Sequence, residues 1–180
     1  MTALPDFSPA DADSLPLHVL SPDDLPDWLA GPGGPWAGWL AAIGFGAALG
    51  EVRLLPGAEG LAGAVIGTGS AKARARGRFG LAKAVAALPA GDWHLSGRLN
   101  ECAAKEAVLG WLLASYRFDA YRPGKSPVPL PRLKLPDGVD GDSLLAMAAG
   151  EYLTRDLINT PANDMGPEQL QAAFFALAEA

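Results

Sequence analysis

A chain of 180 residues accommodates one domain of ordinary size, or one domain and a piece of another. Its net charge of −6 and pI near 4.8 argue against a generic nucleic-acid binder, whose phosphate contacts require a basic footprint. The single cysteine, Cys102, excludes an intrachain disulfide and suits a reducing cytoplasm, and the two histidines, His18 and His94, offer no zinc-ligand spacing with it.

Met1 to Ser14 is acidic, lacks apolar periodicity and is expected as a loose tail. Residues 1–13 hold no Lys or Arg, so the basic start of a secretory signal is missing. Leu15-Pro-Leu-His-Val-Leu20 fits a first strand, and Ser21-Pro-Asp-Asp24 a cap for a short helix ending near Ala30. His18, among aliphatic neighbours, reads as a structural or edge-strand histidine rather than a catalytic base. Trp28 to Gly50 carries no charge, but Gly31-Pro-Gly-Gly-Pro35 interrupts it and leaves fifteen residues, too few to span a bilayer as one helix. Trp36, Trp39, Leu40 and Ile43 recur at intervals of three and four, which predicts an amphipathic helix with its aromatic residues in the core.

Glu51-Val-Arg-Leu-Leu55 alternates as a strand, with Pro56-Gly57 expected as its turn. Leu61 to Ile66 is a continuous apolar run, the signature of a strand buried on both faces. Gly67-Thr-Gly-Ser70 follows, and then Lys72, Arg74, Arg76 and Arg78. A glycine-rich loop after a strand can cradle phosphate through its amides, and nearby cations would help. Neither the P-loop ending nor the third glycine of a dinucleotide fingerprint is present, so a solvated loop and an anion or nucleic-acid contact both stay open.

Phe79 to Leu88 is predicted helical, Trp93-His-Leu95 a short strand with His94 pointing out. Glu101 to Phe118 is expected as the longest helix, Ala104, Val108, Trp111, Leu112 and Ser115 following its period. Cys102, near its start, has no histidine close in sequence and reads as a packed or idle thiol. Arg122 to Pro131 holds four prolines and suggests a rigid surface connection. Arg132 to Leu135 alternates as a last strand, and Pro136 to Gly141 is a turn-rich boundary. A long helix then begins at Asp142. It ends at Asn159-Thr160-Pro161, because the residue before a proline avoids the α region. Gly166-Pro167-Glu168 restarts a helix, with proline at a position that needs no donor.

Two strings carry more than local structure. Arg155-Asp-Leu-Ile-Asn-Thr-Pro-Ala-Asn163 resembles, residue after residue, the segment joining the two domains of the leucyl aminopeptidase family, the M17 metallopeptidases. Gly110, Trp111, Tyr116, Arg117, Phe118 and Tyr121 resemble a Gly-Trp…Tyr-Arg-Phe…Tyr string at the end of the corresponding helix in that family. Read physically, those aromatics anchor a helix end to the sheet, with Arg117 able to stack on a ring.

The resemblance implies an α/β fold with a mixed β-sheet flanked by helices, macro-domain-like, over residues 15–136. It implies a linker helix, a turn and the first helix of a catalytic domain over residues 140–180. It further implies a cytoplasmic, hexameric aminopeptidase that releases N-terminal amino acids from peptide substrates, with two divalent metals (zinc or manganese) held by lysine, aspartate and glutamate motifs beyond the Asn-Thr-Pro-Ala-Asn turn. No position of this chain matches those motifs. No catalytic, cofactor-binding or metal-binding residue is therefore assigned, and Asp137, Asp140, Asp142 and Asp156 are given to loops and caps. The alternative reading is a stand-alone macro-like module in which Gly67–Ser70 holds ADP-ribose or a nucleotide and Lys72–Arg78 touches nucleic acid.

Overall fold

The computed structural model of the chain describes residues 2–121 and 129–179. Among them a five-stranded mixed sheet has the order β2-β3-β1-β4-β5, where β1 is Leu15–Leu20, β2 Val52–Gly57, β3 Gly60–Gly67, β4 Gly91–Ser96 and β5 Pro131–Leu133. β3, β1, β4 and β5 run parallel, and β2 alone is antiparallel, paired to β3 as a hairpin. The helices are α1 (Leu25–Ala30), α2 (Ala37–Ala42), α3 (Ala71–Arg74), α4 (Lys83–Ala87), α5 (Glu101–Ala114), α6 (Gly141–Asn159) and α7 (Pro167–Glu179), with 3₁₀ turns before α2 and α4.

The period-two alternation of the central strands divides the core in two. Leu17 and Val19 of β1, with Ala64 and Ile66 of β3, face α4, α5 and the start of α6. Leu20 and Val65 point the other way and meet Leu40 of α2, Phe45 and Leu55. β3 is covered on both faces, as its unbroken apolar run requires. Trp36 and Leu40 pack into the second cluster, but Trp39 is 48% exposed, so the expected all-buried aromatic face holds only in part.

Several boundaries differ from expectation. Pro56 and Gly57 stay within β2, and Ala58–Glu59 makes the turn; the pairing slips between Leu55 and Pro56, where proline has no amide to give. α5 stops at Ala114, not Phe118; past its end the Ser115 amide is shared between the Trp111 and Leu112 carbonyls at 3.1 Å each, the tightening of a helix's last turn. The longest described helix is therefore α6, 19 residues against 14 for α5. Asp140 caps α6 by accepting from the Ser143 amide at 3.1 Å. Most of the proline-rich connection expected over 122–131 lies outside the described residues.

The segment 2–14 has no regular element, yet it is tied down rather than loose. Ser8 pairs beside Lys134 and is buried, its amide donating to the Leu133 carbonyl at 3.0 Å. Leu4 and Phe7 pack against the first core cluster. No helix among the described residues is long and apolar enough to cross a membrane.

Candidate functional site

Two places gather polar chemistry: the junction where α5 ends against α6, and the cleft at the carboxyl ends of the parallel strands. The junction is built on Asp156. Sequence reasoning gave this residue to a loop or cap; the structure places it inside α6, buried, with three donors. Its Oδ2 accepts from the Thr2 amide at 2.5 Å, and its Oδ1 accepts from the Thr2 hydroxyl at 2.7 Å and the Tyr116 hydroxyl at 2.9 Å. Burial pushes this carboxyl up, but the bonds from Thr2 and Tyr116 outweigh it and hold it below the ordinary carboxylate range. The Tyr116 oxygen in turn accepts from the Asn159 side-chain amide at 3.0 Å.

The two strings singled out from the sequence fold onto one another here. Arg155 lies over the Tyr116 ring at 5.4 Å and donates to the Leu113 carbonyl at 3.0 Å. Arg155, not the expected Arg117, makes the cation–π contact at this helix end. Tyr152 meets Tyr116 edge-on at 5.0 Å, and its hydroxyl donates to the Leu112 carbonyl at 2.6 Å; burial pushes its phenol up to about 12. Tyr121 reaches across the turn to Asp164 at 2.6 Å. The aromatics thus anchor the end of α5 to α6 and its turn, while Trp111 also ties α5 toward the sheet by donating to the Pro131 carbonyl at 3.2 Å. Gly110 has a separate duty: a Cβ there would stand 3.1 Å from the Phe79 side chain.

The cleft has a volume of about 510 Å³ and lies between the segments that follow β1, β3 and β4. Gly67 is placed where a Cβ would meet the Ala48 carbonyl at 2.2 Å, so the chain after β3 passes against backbone. Ser70 caps α3, accepting from the Ala73 amide at 3.3 Å. Residues expected as an open basic loop thus include one helical turn, from which Arg74 folds back to donate to the Gly69 carbonyl and, at 3.4 Å, to the Thr68 hydroxyl. Arg78 stands 3.7 Å from Glu106, whose other oxygen accepts from the Phe79 amide at 2.8 Å. Phe79 is held there at φ 57, a left-handed conformation that a non-glycine residue adopts only under constraint. The Ser21 hydroxyl, and more weakly the charges of Arg98 and Arg74, hold the Asp24 carboxyl below its ordinary value.

The isolated residues fall outside both places. His18 packs on the Trp28 ring at 5.0 Å, and burial, with the charge of His94 adding to it, lowers its pKa. The His94 Nδ1 lies 2.9 Å from the Ser14 hydroxyl. Cys102 is exposed in the first turn of α5. Among the described residues no three His, Cys, Asp or Glu side chains are grouped closely enough to hold a metal ion.

The comparisons with known proteins follow the same outline. Residues 15–136 match the family described as M17 aminopeptidase, N-terminal domain. A probable cytosol aminopeptidase of Streptomyces avermitilis is 32% identical over 81% of this chain and 34% of that protein. The crystal structure of the cytosol aminopeptidase of Coxiella burnetii superposes with a TM-score of 0.77 at 31% identity, over 93% of this chain and 36% of that one. The bottromycin maturation enzyme BotP, in complex with Mn, gives a TM-score of 0.68 at 27% identity, over 93% and 36%. The chain spans about a third of the length of these relatives. A five-stranded mixed sheet between helices, a matched N-terminal domain and two interlocked strings at its exit converge, and the chain belongs to the M17 aminopeptidase family.

Proposed function

We propose that this chain supplies the N-terminal α/β domain, the linker helix α6 and the leading helix α7 of a metal-dependent leucyl aminopeptidase, which releases N-terminal amino acids from peptides. The observation that carries this reading is the match of residues 15–136 to the family's N-terminal domain, beside a superposition of 93% of this chain on a cytosol aminopeptidase at 31% identity. In this reading the catalytic residues and the ligands of two divalent cations, zinc or manganese, belong to a domain that follows α7, and none belongs to this chain. The intact enzyme works in the cytoplasm as a hexamer, to whose architecture the N-terminal domain contributes.

The exposed apolar surface supports the role given to α7. Leu170, Phe174, Phe175 and Leu177 are each more than half exposed, and no residue of α7 is buried. Such a face suits a helix that a further domain covers. The test is hydrolysis of a chromogenic leucyl amide by the purified 180-residue chain loaded with manganese or zinc. No release is expected; steady release of leucine overturns the reading.

A further inference from the structure

The cleft at the carboxyl ends of the strands has no part in the reading above. The chain leaving β1 turns toward β2 and β3, whereas the chain leaving β4 turns the opposite way, through α5 to β5. Ser21 and Asp24 on the first path, and Arg98 and Asn100 on the second, line the same cleft. Diverging connections of this kind open the crevice in which α/β sheets take ligands. A volume of about 510 Å³ falls within the range of small organic ligands and suits a molecule of two or three amino-acid units better than a lone ion.

Charges of both signs line the cleft. Arg74 is committed to the Gly69 carbonyl and Arg78 faces Glu106, but Arg98 makes no hydrogen bond or ion pair among the described residues. Asp24 takes the Ser21 hydroxyl on Oδ2, which leaves Oδ1 open. Half-buried Leu49, Leu81 and Leu99 supply apolar surface beside them. A phosphate dianion would gain Arg98 but meet Asp24 and Glu106; a molecule with one charge of each sign satisfies both.

We propose that this cleft binds a short zwitterionic peptide, its carboxylate on Arg98, its ammonium on Asp24 and its apolar side chains on Leu49, Leu81 and Leu99. Binding stands on the chemistry of the cleft; only its meaning, a second peptide site on an aminopeptidase, rests on the proposed function.

The test is calorimetric titration of the metal-free 180-residue chain with Leu-Leu, with N-acetyl-Leu-Leu amide, and with inorganic phosphate. Leu-Leu is expected to saturate the chain at millimolar concentration or below, and the doubly blocked peptide to bind at least about tenfold more weakly, since each end loses a charge-assisted hydrogen bond. Arg98→Gln and Asp24→Asn, both at exposed positions, should each weaken Leu-Leu about tenfold while the thermal midpoint stays within a few degrees. Absence of saturation at about 10 mM, equal binding of the blocked peptide, tighter binding of phosphate, or Leu-Leu affinity unchanged in both variants overturns the proposal. Failure here leaves the leucyl amide assay untouched, and an unexpected result in that assay leaves this titration readable.

Discussion

The Tyr116 hydroxyl lies 2.9 Å from Asp156 Oδ1, joining the residue just past α5 to a carboxylate inside α6. Asn159 approaches the same hydroxyl at 3.0 Å, and Thr2 closes the other side of the carboxylate. One buried acid therefore gathers the beginning of the chain, the end of the domain and the linker helix. Removing it strands three donors. Asp156→Ala should cost about 2–3 kcal/mol in urea unfolding, the range for hydrogen bonds to a buried charged acceptor. Tyr116→Phe, which takes one of the two donors from Asp156 Oδ1 and leaves the exposed Asn159 amide to solvent, should cost about 1 kcal/mol. A loss below ~0.5 kcal/mol for Asp156→Ala would mean that the junction is not held by this acid.

The same carboxylate fixes an acid limb of stability. Its folded pKa lies below the ordinary 3.8, so the unfolded chain takes up a proton first as pH falls. The contribution is complete above the ordinary carboxylate range and is lost as pH drops through the lower folded value. Asp24, Asp92, Glu101 and Asp140 shift in the same direction, so the wild-type curve alone does not isolate Asp156. The difference between wild type and Asp156→Asn should shrink on acidification from pH 5 downward, measured by chemical denaturation. A difference independent of pH contradicts the assignment.

Tyr152 contributes to the alkaline limb, where Tyr116 and Tyr121 shift in the same direction, so the variant comparison is what isolates it. Its phenol is pushed up to about 12, chiefly by burial, while an unfolded tyrosine ionises near 10. Between those values the unfolded chain gives up the proton and the folded one keeps it, so stability present below about pH 10 falls as pH rises to 12. The full swing is about 2–3 kcal/mol. Tyr152→Phe should start lower, having lost the bond to the Leu112 carbonyl, and should lose less between pH 10 and 12. Absorbance of tyrosinate near 295 nm during the titration shows whether the phenol ionises before or with unfolding.

The sequence was most legible where chemistry is local. β1 and the helix–turn–helix of α6 and α7 follow from hydrophobic period, capping residues and proline, all read within a few positions. The strings 110–121 and 155–163 were visible as strings, but not that they interlock, because Tyr116 and Asp156 are 40 residues apart. The docking of residues 2–14 was hidden for the same reason: its partners Leu133 and Asp156 lie at the far end of the chain. The cleft is a product of strand order, which no local pattern encodes. Arg98, a cleft cation with no hydrogen bond or ion pair among the described residues, had no sequence signal at all.

Glycine at position 67 is a steric requirement rather than a flexible joint. A Cβ there would stand 2.2 Å from the Ala48 carbonyl oxygen and 2.3 Å from the Ala47 carbonyl carbon, both backbone atoms that cannot rotate aside. Gly67→Ala should therefore destabilise by at least about 2 kcal/mol, the upper part of the range for overpacking. Gly46 is the control: nothing lies within 4 Å of a Cβ there, and its backbone needs no left-handed conformation. Gly46→Ala should change stability by less than about 0.5 kcal/mol. Equal losses at the two positions would remove the close approach of the chain after β3 as the cause.

The outer face of α7 makes the last prediction, and it separates stability from association. Phe174 and Phe175 are 68% and 56% exposed, and their rings contact each other at 6.3 Å rather than any core cluster. Leu170 and Leu177 extend the same apolar surface, so the patch is continuous along the helix. Exposed side chains contribute little to folding; replacing both rings with serine should move the urea midpoint by no more than about 0.5 kcal/mol in equivalent stability. The patch should instead drive self-association of the 180-residue chain. Light scattering across a concentration series should show wild type growing in mass and Phe174→Ser/Phe175→Ser remaining at the mass of one chain. A large loss of stability in the double variant would mean that α7 packs onto its own domain. Unchanged association would mean that the contact between copies lies elsewhere, on the half-exposed Trp39 or along β2.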